Sequence, residues 1–169
     1  MRIVERPAPR VAGLRTIPTA LAGDWEHAGA RYRFGHDCTY SSVEVGPYTI
    51  LNNQLHFLGE TLDRIGGNAG LVGIWRSSYP DGTYFDATFG PYGFYSYVWS
   101  DGIAGGGYYW HDHATLAQVE HRAVVDCQGS DITFTLTDGT IEAGTFAISC
   151  DVLTISFASG IVSYQRVPS

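Results

Sequence analysis

Hydrophobic and polar positions alternate through most of the chain, in short runs that Gly, Asn and Asp interrupt. From residue 21 onward these runs are rich in Thr, Val, Ile, Tyr and Phe, a composition typical of strands. Strands are predicted at 30–35, 38–45, 48–52, 54–59, 71–77, 83–89, 93–100, 107–113, 116–126, 131–137, 140–149, 151–158 and 161–167. So many short strands, joined by turns such as 137–140, favour an antiparallel barrel or sandwich.

Two segments depart from this pattern. Residues 1–20 carry four Arg and three Pro without an apolar period, so we expect an extended arm that either frays or closes over a pocket as a lid. Residues 60–66 have helical character, and we expect one helical turn there. The remaining chain, 21–169, is short enough to form a single barrel domain.

Two motifs occur twice along the chain, which indicates an internal repeat. Leu-x-Gly-x-Trp stands at 21–25 and again at 71–75, fifty positions later. The pattern aromatic-x-Ile-x-x-(Asn/Asp)-x-Leu-x-apolar stands at 48–57 and at 146–155. This second pattern predicts a strand, a tight turn at Asn or Asp, and a second strand.

The Gly-x-Trp opening, the repeated hairpins and the closing Tyr164-Gln165-Arg166 resemble the lipocalin-like (calycin) barrels. The resemblance implies that a Trp closes one end of the barrel and that an Arg from the last strand packs across it. Here the set is Trp25 or Trp75 with Arg166, and the doubled motif leaves the choice of Trp open. The expected fold is an all-β, antiparallel, lipocalin-like β-barrel of about 8–10 strands with an N-terminal arm.

Composition narrows the function classes. The chain is 44% hydrophobic, 14% aromatic and only 16% charged, which excludes a disordered protein. Ten basic and seventeen acidic residues give a net charge of −7, which argues against nucleic acid as a partner. No apolar run approaches the ~18 residues of a membrane helix, so no membrane partner is expected. The sequence is also compatible with a homodimer.

The cysteines and the N-terminus bear on the compartment. Three cysteines without paired spacing make a poor disulfide framework, although Cys127 and Cys150 could pair across two strands. The first residues lack the apolar stretch of a secretory signal. We therefore expect a cytoplasmic protein with reduced thiols.

Alternation also predicts which side chains face inward. On 116–126 one face is apolar and carries Ala117, Val119 and His121, so we expect His121 to point into the barrel. On 94–100 the larger aromatic residues, Tyr95, Tyr97 and Trp99, share one face.

We expect that aromatic stripe to line a cavity, since Tyr and Trp combine bulk with a hydrogen-bonding tip. A barrel of about eight strands is wide enough to hold one small ligand. The expected partner is therefore a small hydrophobic, partly oxygenated molecule.

The sequence gives little support for a metal site or a nucleophile. His111, His113 and His121 could meet on a barrel wall and hold zinc or iron, but no carboxylate follows at a suitable spacing. No Gly-x-Ser-x-Gly precedes a helix. We therefore assign neither a metal nor another cofactor. Acidic residues near the first Trp could anchor the arm, whose Arg6, Arg10 and Arg15 would pair with them at the pocket rim.

In size, barrel pattern and N-terminal arm the chain is similar to small bacterial barrel cyclases, which form spirotetronate and spirotetramate polyketides by intramolecular Diels–Alder cyclisation. The resemblance implies a cofactor-independent cyclase that orients a flexible substrate and polarises a carbonyl. No functional residue is carried over from that family. A non-catalytic carrier or sensor of a lipophilic molecule and a His-metal barrel enzyme are the alternatives.

The candidate residues come from the predicted strand faces and the arm. The catalytic candidates are His121, Tyr97 and His111. The substrate-binding candidates are Trp99, Tyr95, Trp75, Tyr109 and Val119. The lid or rim candidates are Arg10, Arg15, Asp24 and Glu26.

Overall fold

The computed structural model describes residue 15 and residues 17–169. In this part of the chain, fourteen antiparallel strands and one short 3₁₀ turn at Pro91–Gly93 account for all regular structure. The strands are β1 (Gly23–His27), β2 (Ala30–Phe34), β3 (Thr39–Leu51), β4 (Gln54–Phe57), β5 (Glu60–Gly66), β6 (Gly73–Ser78), β7 (Tyr84–Phe89), β8 (Phe94–Trp99), β9 (Ala104–His111), β10 (Thr115–Gln128), β11 (Asp131–Leu136), β12 (Ile141–Ser149), β13 (Val152–Phe157) and β14 (Gly160–Arg166).

This architecture confirms the predicted all-β antiparallel barrel-like fold, with fourteen strands in place of the 8–10 expected. The strands form a closed ring, and β3 also pairs with β10 across that ring. The pairing of β3 with β10 divides the ring into two barrels of eight strands each, and the second barrel accounts for the extra strands. Barrel A consists of β1, β2, β3 and β10–β14, and barrel B consists of β3–β10.

The two shared strands are the longest in the fold, at 13 and 14 residues. The first half of β3 pairs with β2 and its last four residues pair with β4, so β3 passes from barrel A into barrel B. In the same way, β10 pairs first with β9 and then with β11. Both barrels therefore close on one two-stranded ribbon.

Each barrel has its own hydrophobic core with a fully buried Trp at one end. The Trp25 indole Nε1 donates to the Leu21 carbonyl at 2.8 Å. The Trp75 indole Nε1 donates to the Leu71 carbonyl at 2.9 Å. The repeated Leu-x-Gly-x-Trp motif is therefore one local structure that is built twice.

An arginine covers each of these two rings. The Arg166 guanidinium carbon lies 4.0 Å from the centre of the Trp25 ring. The guanidinium carbon of Arg64 lies 4.1 Å from the centre of the Trp75 ring. Both Trp residues are plugs, and the Arg166 partner that the resemblance implied belongs to Trp25. Stacking of this kind adds a cation–π attraction to the burial of the ring.

The glycine of each motif leaves room for that arginine. Gly73 has a φ of +153°, and a Cβ there would lie 2.5 Å from the Gly66 carbonyl oxygen and 3.0 Å from Arg64 Nη1. Any larger residue would push the arginine and the neighbouring backbone apart.

The two sequence repeats are exchanged between the barrels. Arg64 follows Trp25 in the first repeat but covers Trp75, while Arg166 follows Trp75 in the second repeat but covers Trp25. Each barrel thus combines strands from both halves of the chain, and neither closes without β3 and β10.

One predicted element is wrong. Residues 60–66 form strand β5, which pairs with β4 and β6, and not a helical turn. Leu62 is buried between the exposed neighbours Thr61 and Asp63, which is the period of a strand. Cys38, Cys127 and Cys150 are all free thiols, so the pair considered between the last two does not form.

Two further points concern the membrane and the arm. In the described residues no helix has the length and apolarity needed to cross a bilayer. The predicted arm, 1–20, lies mostly outside the described residues.

The shared ribbon predicts that both barrels unfold together. Leu153 in barrel A and Leu55 in barrel B are buried at equivalent hairpin positions. Replacing either one, by Leu153→Ala or Leu55→Ala, should cost about 2–5 kcal/mol and shift a single urea transition. A variant that unfolds in two steps, with half of the signal at the original midpoint, would contradict this coupling.

Candidate functional site

Barrel B contains a cavity of about 460 Å³ at the end opposite the Trp75 plug. Strands β3 to β8 and β10 supply its walls, and it opens to solvent between the ends of these strands. The volume lies within the range of small-molecule sites.

Comparison with barrel A explains why barrel B is hollow. In barrel A the plug residue Trp25 pairs with Tyr32, and in barrel B the plug residue Trp75 pairs with Ala87. The Tyr32 ring occupies this place in barrel A, where it stacks on Tyr40 at 5.4 Å and meets Tyr164 edge-on at 5.8 Å. Tyr32 and Tyr40 also line an open groove of about 700 Å³ that includes Leu58 and Arg122. Ala87 has no side chain that reaches so far, so space remains above Trp75.

The same comparison shows that barrel B is the more polar of the two. Leu116 in barrel B and Ile132 in barrel A are both fully buried, and each pairs with a glycine of the next strand. Two and four residues further on, barrel A continues with Phe134 and Leu136, whereas barrel B has Gln118 and Glu120 in the cavity wall. Hydrophobic wall positions of one barrel are thus polar in the other.

One wall of the cavity is aromatic. Tyr95, Tyr97 and Trp99 of β8 all face the cavity. The Trp99 ring lies 5.1 Å from Phe85 and stacks on Tyr79 at 5.8 Å. Burial, followed by the hydrogen bond to Glu120, raises the pKa of Tyr97 to about 12. Burial also raises the pKa of Tyr95, so both hydroxyls stay protonated at neutral pH.

Three carboxylates, those of Glu44, Glu60 and Glu120, line the same cavity. The Tyr97 hydroxyl donates to Glu120 Oε1. Arg122 Nη1 lies 3.2 Å from the same oxygen. The Ser77 hydroxyl donates to Glu60 Oε2 at 3.2 Å.

The Glu44 side chain is exposed at the mouth, yet the surrounding protein shifts its pKa. Partial burial raises the pKa of this carboxyl, and the nearby charge of Glu120 raises it further. Arg122 acts in the opposite direction. The cavity therefore combines Glu44, whose pKa is raised, with Glu120, which accepts a hydrogen bond from Tyr97.

A β-bulge positions Arg122 at this site. The pairing of β10 with β3 shifts between His121 and Ala123, which leaves Arg122 as the extra residue. Its Nε donates to the Ser42 hydroxyl at 3.1 Å, and the guanidinium lies over the cavity wall beside Glu120.

The sequence-based candidates fall into three groups. Tyr95, Tyr97 and Trp99 lie together on the cavity wall. Trp75 and Tyr109 belong to the core at the closed end, where the Tyr109 hydroxyl donates to the Gly90 carbonyl at 2.7 Å. The remaining candidates lie elsewhere on the molecule.

His121 and Val119 lie on the opposite face of β10, which corrects the expected inward face. The Ser41 hydroxyl and His121 Nδ1 are 3.1 Å apart on that face, and Val119 pairs with Val43. The expectation treated β10 as one regular strand with one apolar side. The bulge interrupts this alternation, so the inward residues are Leu116, Gln118 and Glu120 before it and Ala123 and Val125 after it.

His111 lies at the closed end of barrel B, exposed, with Nδ1 3.0 Å from the Tyr48 hydroxyl. It does not meet His121, which faces away from the barrel interior. Within the described part of the chain, no three His, Cys, Asp or Glu side chains converge in a group that could hold a metal ion.

Two of the rim candidates, Asp24 and Glu26, lie on β1 of barrel A. Both Asp24 carboxylate oxygens accept hydrogen bonds from Arg33, at 2.6 and 2.9 Å, so this acid already has a basic partner on β2. Glu26 and Arg15 are exposed. Arg10 lies outside the described residues, so the predicted contact of the arm with Asp24 and Glu26 stays a prediction.

Sequence reasoning missed Ala87 and the charged residues of the wall. A signal for Ala87 was present, because a Phe-Gly dipeptide follows each Gly-x-Trp motif, and Tyr32 and Ala87 stand two residues before its Phe. The acids carried no such signal, since a Glu on a strand is usually solvated.

No protein-family model matches the chain, and the comparisons with curated proteins and with solved structures find no match.

The carboxyl group of Glu44 should respond to both of its charged neighbours. Glu120→Gln removes a like charge and should lower the pKa of Glu44, whereas Arg122→Gln removes an opposing charge and should raise it. Carbon-13 NMR titration of the Glu side chains measures both shifts. An unchanged pKa of Glu44 in both variants would contradict this geometry.

The same pKa shift affects stability. Because the pKa of Glu44 is higher in the folded than in the unfolded chain, the folded protein holds this proton more tightly. Its contribution to stability is therefore present at low pH and is lost as the pH rises through the raised pKa. Glu44→Gln should remove this loss in urea titrations on either side of that pH.

Proposed function

We propose that the chain binds a small organic molecule, with a hydrophobic body and polar groups, in the cavity of barrel B. One observation carries the proposal. The chain builds the same plugged barrel twice, and the position that Tyr32 fills in barrel A is occupied by Ala87 in barrel B, beneath a polar wall. Barrel A therefore shows which side chains occupy the interior when a barrel of this kind has a packed core.

The polar wall supports this function on energetic grounds. A Gln and a Glu occupy places where barrel A gains stability from buried Phe134 and partly buried Leu136. Polar groups in a barrel interior are costly unless they are hydrogen-bonded. The polar residues make barrel B less stable than hydrophobic residues at the same positions would. Residues that lower stability in this way concentrate at functional sites.

The direct test exchanges the residues that distinguish the barrels. Ala87→Tyr should fill the cavity and abolish binding of a neutral hydrophobic fluorophore such as N-phenyl-1-naphthylamine. The matched control, Tyr32→Ala, changes the equivalent residue of barrel A and should leave the barrel B site intact. Fluorescence titration measures binding, and circular dichroism verifies the fold. A folded Ala87→Tyr protein that binds as the wild type does would contradict the proposal.

The second candidate is an intramolecular cyclase, favoured by the Tyr97–Glu120 pair in an otherwise aromatic wall. An enclosed wall can hold a flexible diene and alkene in reactive contact, and orientation alone can supply up to ~7–11 kcal/mol. In a [4+2] closure the three π bonds of the diene and the alkene become two carbon–carbon σ bonds and one new π bond, without any redox change, so no cofactor is required.

Polarisation of a substrate carbonyl would require a proton donor in the cavity. Tyr97 donates its only hydroxyl proton to Glu120, so it would have to exchange that partner for the substrate. The carboxyl of Glu44, with its raised pKa, is a second donor in its protonated form. The His candidates lie outside the cavity and would not take part.

The cyclase candidate has its own test. The protein should accelerate closure of a linear tetramate that carries a conjugated diene and a terminal alkene, measured as loss of diene absorbance. Tyr97→Phe should lower kcat more than it raises KM, because it removes a donor but keeps the wall. Binding without acceleration in the wild type would reject the cyclase and leave the binding function in place.

A further inference from the structure

We infer that the molecule bound in barrel B carries a positive charge, as a protonated amine or a quaternary ammonium group held at the cavity mouth. This inference rests on the proposed function, since it names the class of ligand for the same cavity. Two independent features of the wall support it, its charge and its aromatic faces.

The charges that face the cavity are mostly negative. Three lining residues are acids and one, Arg122, is basic. Arg122 is already engaged with Glu120 at 3.2 Å and with the Ser42 hydroxyl. Among the described residues, Glu44 and Glu60 form no ion pair. A ligand cation would meet these two carboxylates, whereas an anion would be repelled by them.

The aromatic faces are the second feature. Where this chain buries a Trp in a barrel end, it places a cation on the ring, as Arg166 does on Trp25 and Arg64 on Trp75. On the outer surface Arg76 covers Tyr84 at 3.8 Å. In the described residues, Trp99 at the mouth has no guanidinium or ammonium over its ring. A ligand cation would stack on Trp99 in the way that arginines stack on other aromatic rings of the fold.

Barrel A shows that the acids are not needed to build the barrel. Val162 and Leu136 stand at the positions equivalent to Glu60 and Glu120. Glu142 is equivalent to Glu44, and it lies on a barrel whose interior is filled by aromatic rings. Two of the three acids thus belong to the hollow barrel alone.

Three probes with one body and different charges test the inference. Phenylbutylamine is cationic, phenylbutanol is neutral and phenylbutyrate is anionic at neutral pH. Calorimetric titration of the full chain at low salt should give the tightest binding for the amine, by about tenfold over the alcohol, and the weakest for the carboxylate. Added salt should narrow the difference between amine and alcohol, because it screens the charges at the open mouth.

Variants assign the effect to the carboxylates. The double variant Glu44→Gln with Glu60→Gln should lower the amine-to-alcohol affinity ratio several-fold, because it removes two negative charges from the cavity wall and leaves the aromatic faces in place. The matched control is Glu142→Gln, which removes the equivalent acid of barrel A and should keep the wild-type ratio.

The outcomes separate the two proposals. If the alcohol binds as tightly as the amine and Ala87→Tyr abolishes both, the cationic ligand is overturned and the binding function of barrel B stands. If Ala87→Tyr leaves the affinity of all three probes unchanged, the cavity is not the site and the proposed function is overturned. A preference for the amine that the double Gln variant reduces and that Glu142→Gln keeps supports both.

Discussion

The pairing of β3 with β10 is the constraint on which the rest of the structure depends. Both strands run the length of two barrels, and their antiparallel hydrogen bonds join the barrels into one sheet. On β3 the residues that point inward are Tyr40 in barrel A and Glu44 in barrel B. On β10 the bulge at Arg122 restores the inward face after a shift in register, and the extra residue is aimed at the cavity.

This shared ribbon lets one chain build two barrels with the same closure and different contents. A Trp under an Arg seals each barrel, and the sealing motif has the same spacing in both repeats. The side chains in the interior, on the open side of the Trp, differ between the two barrels. Barrel A provides a packed core in which Tyr40 contacts both Tyr32 and Phe134. Barrel B combines Ala87 with Gln118 and Glu120 and leaves a space with polar groups.

The fold class and the plug residues could be read from the sequence, because strand alternation and the Leu-x-Gly-x-Trp repeat are local signals. The presence of a second barrel could not be read from the sequence, because the sheet closes through pairing between β3 and β10, whose residues stand about 75 positions apart. The stripe of Tyr95, Tyr97 and Trp99 was predictable because β8 is short and regular. The inward face of β10 was not predictable, because the alternation of hydrophobic and polar residues gives no sign of the bulge before Ala123.

The central claim is that barrel B is the binding barrel and barrel A its filled counterpart. A crystal structure of the protein grown with phenylbutylamine tests it most directly. The account predicts the phenyl group above Trp75 in barrel B and the ammonium between Glu44 and Trp99, with barrel A unchanged. An amine bound in barrel A or on the outer surface, with the cavity of barrel B closed by its own side chains, would contradict it.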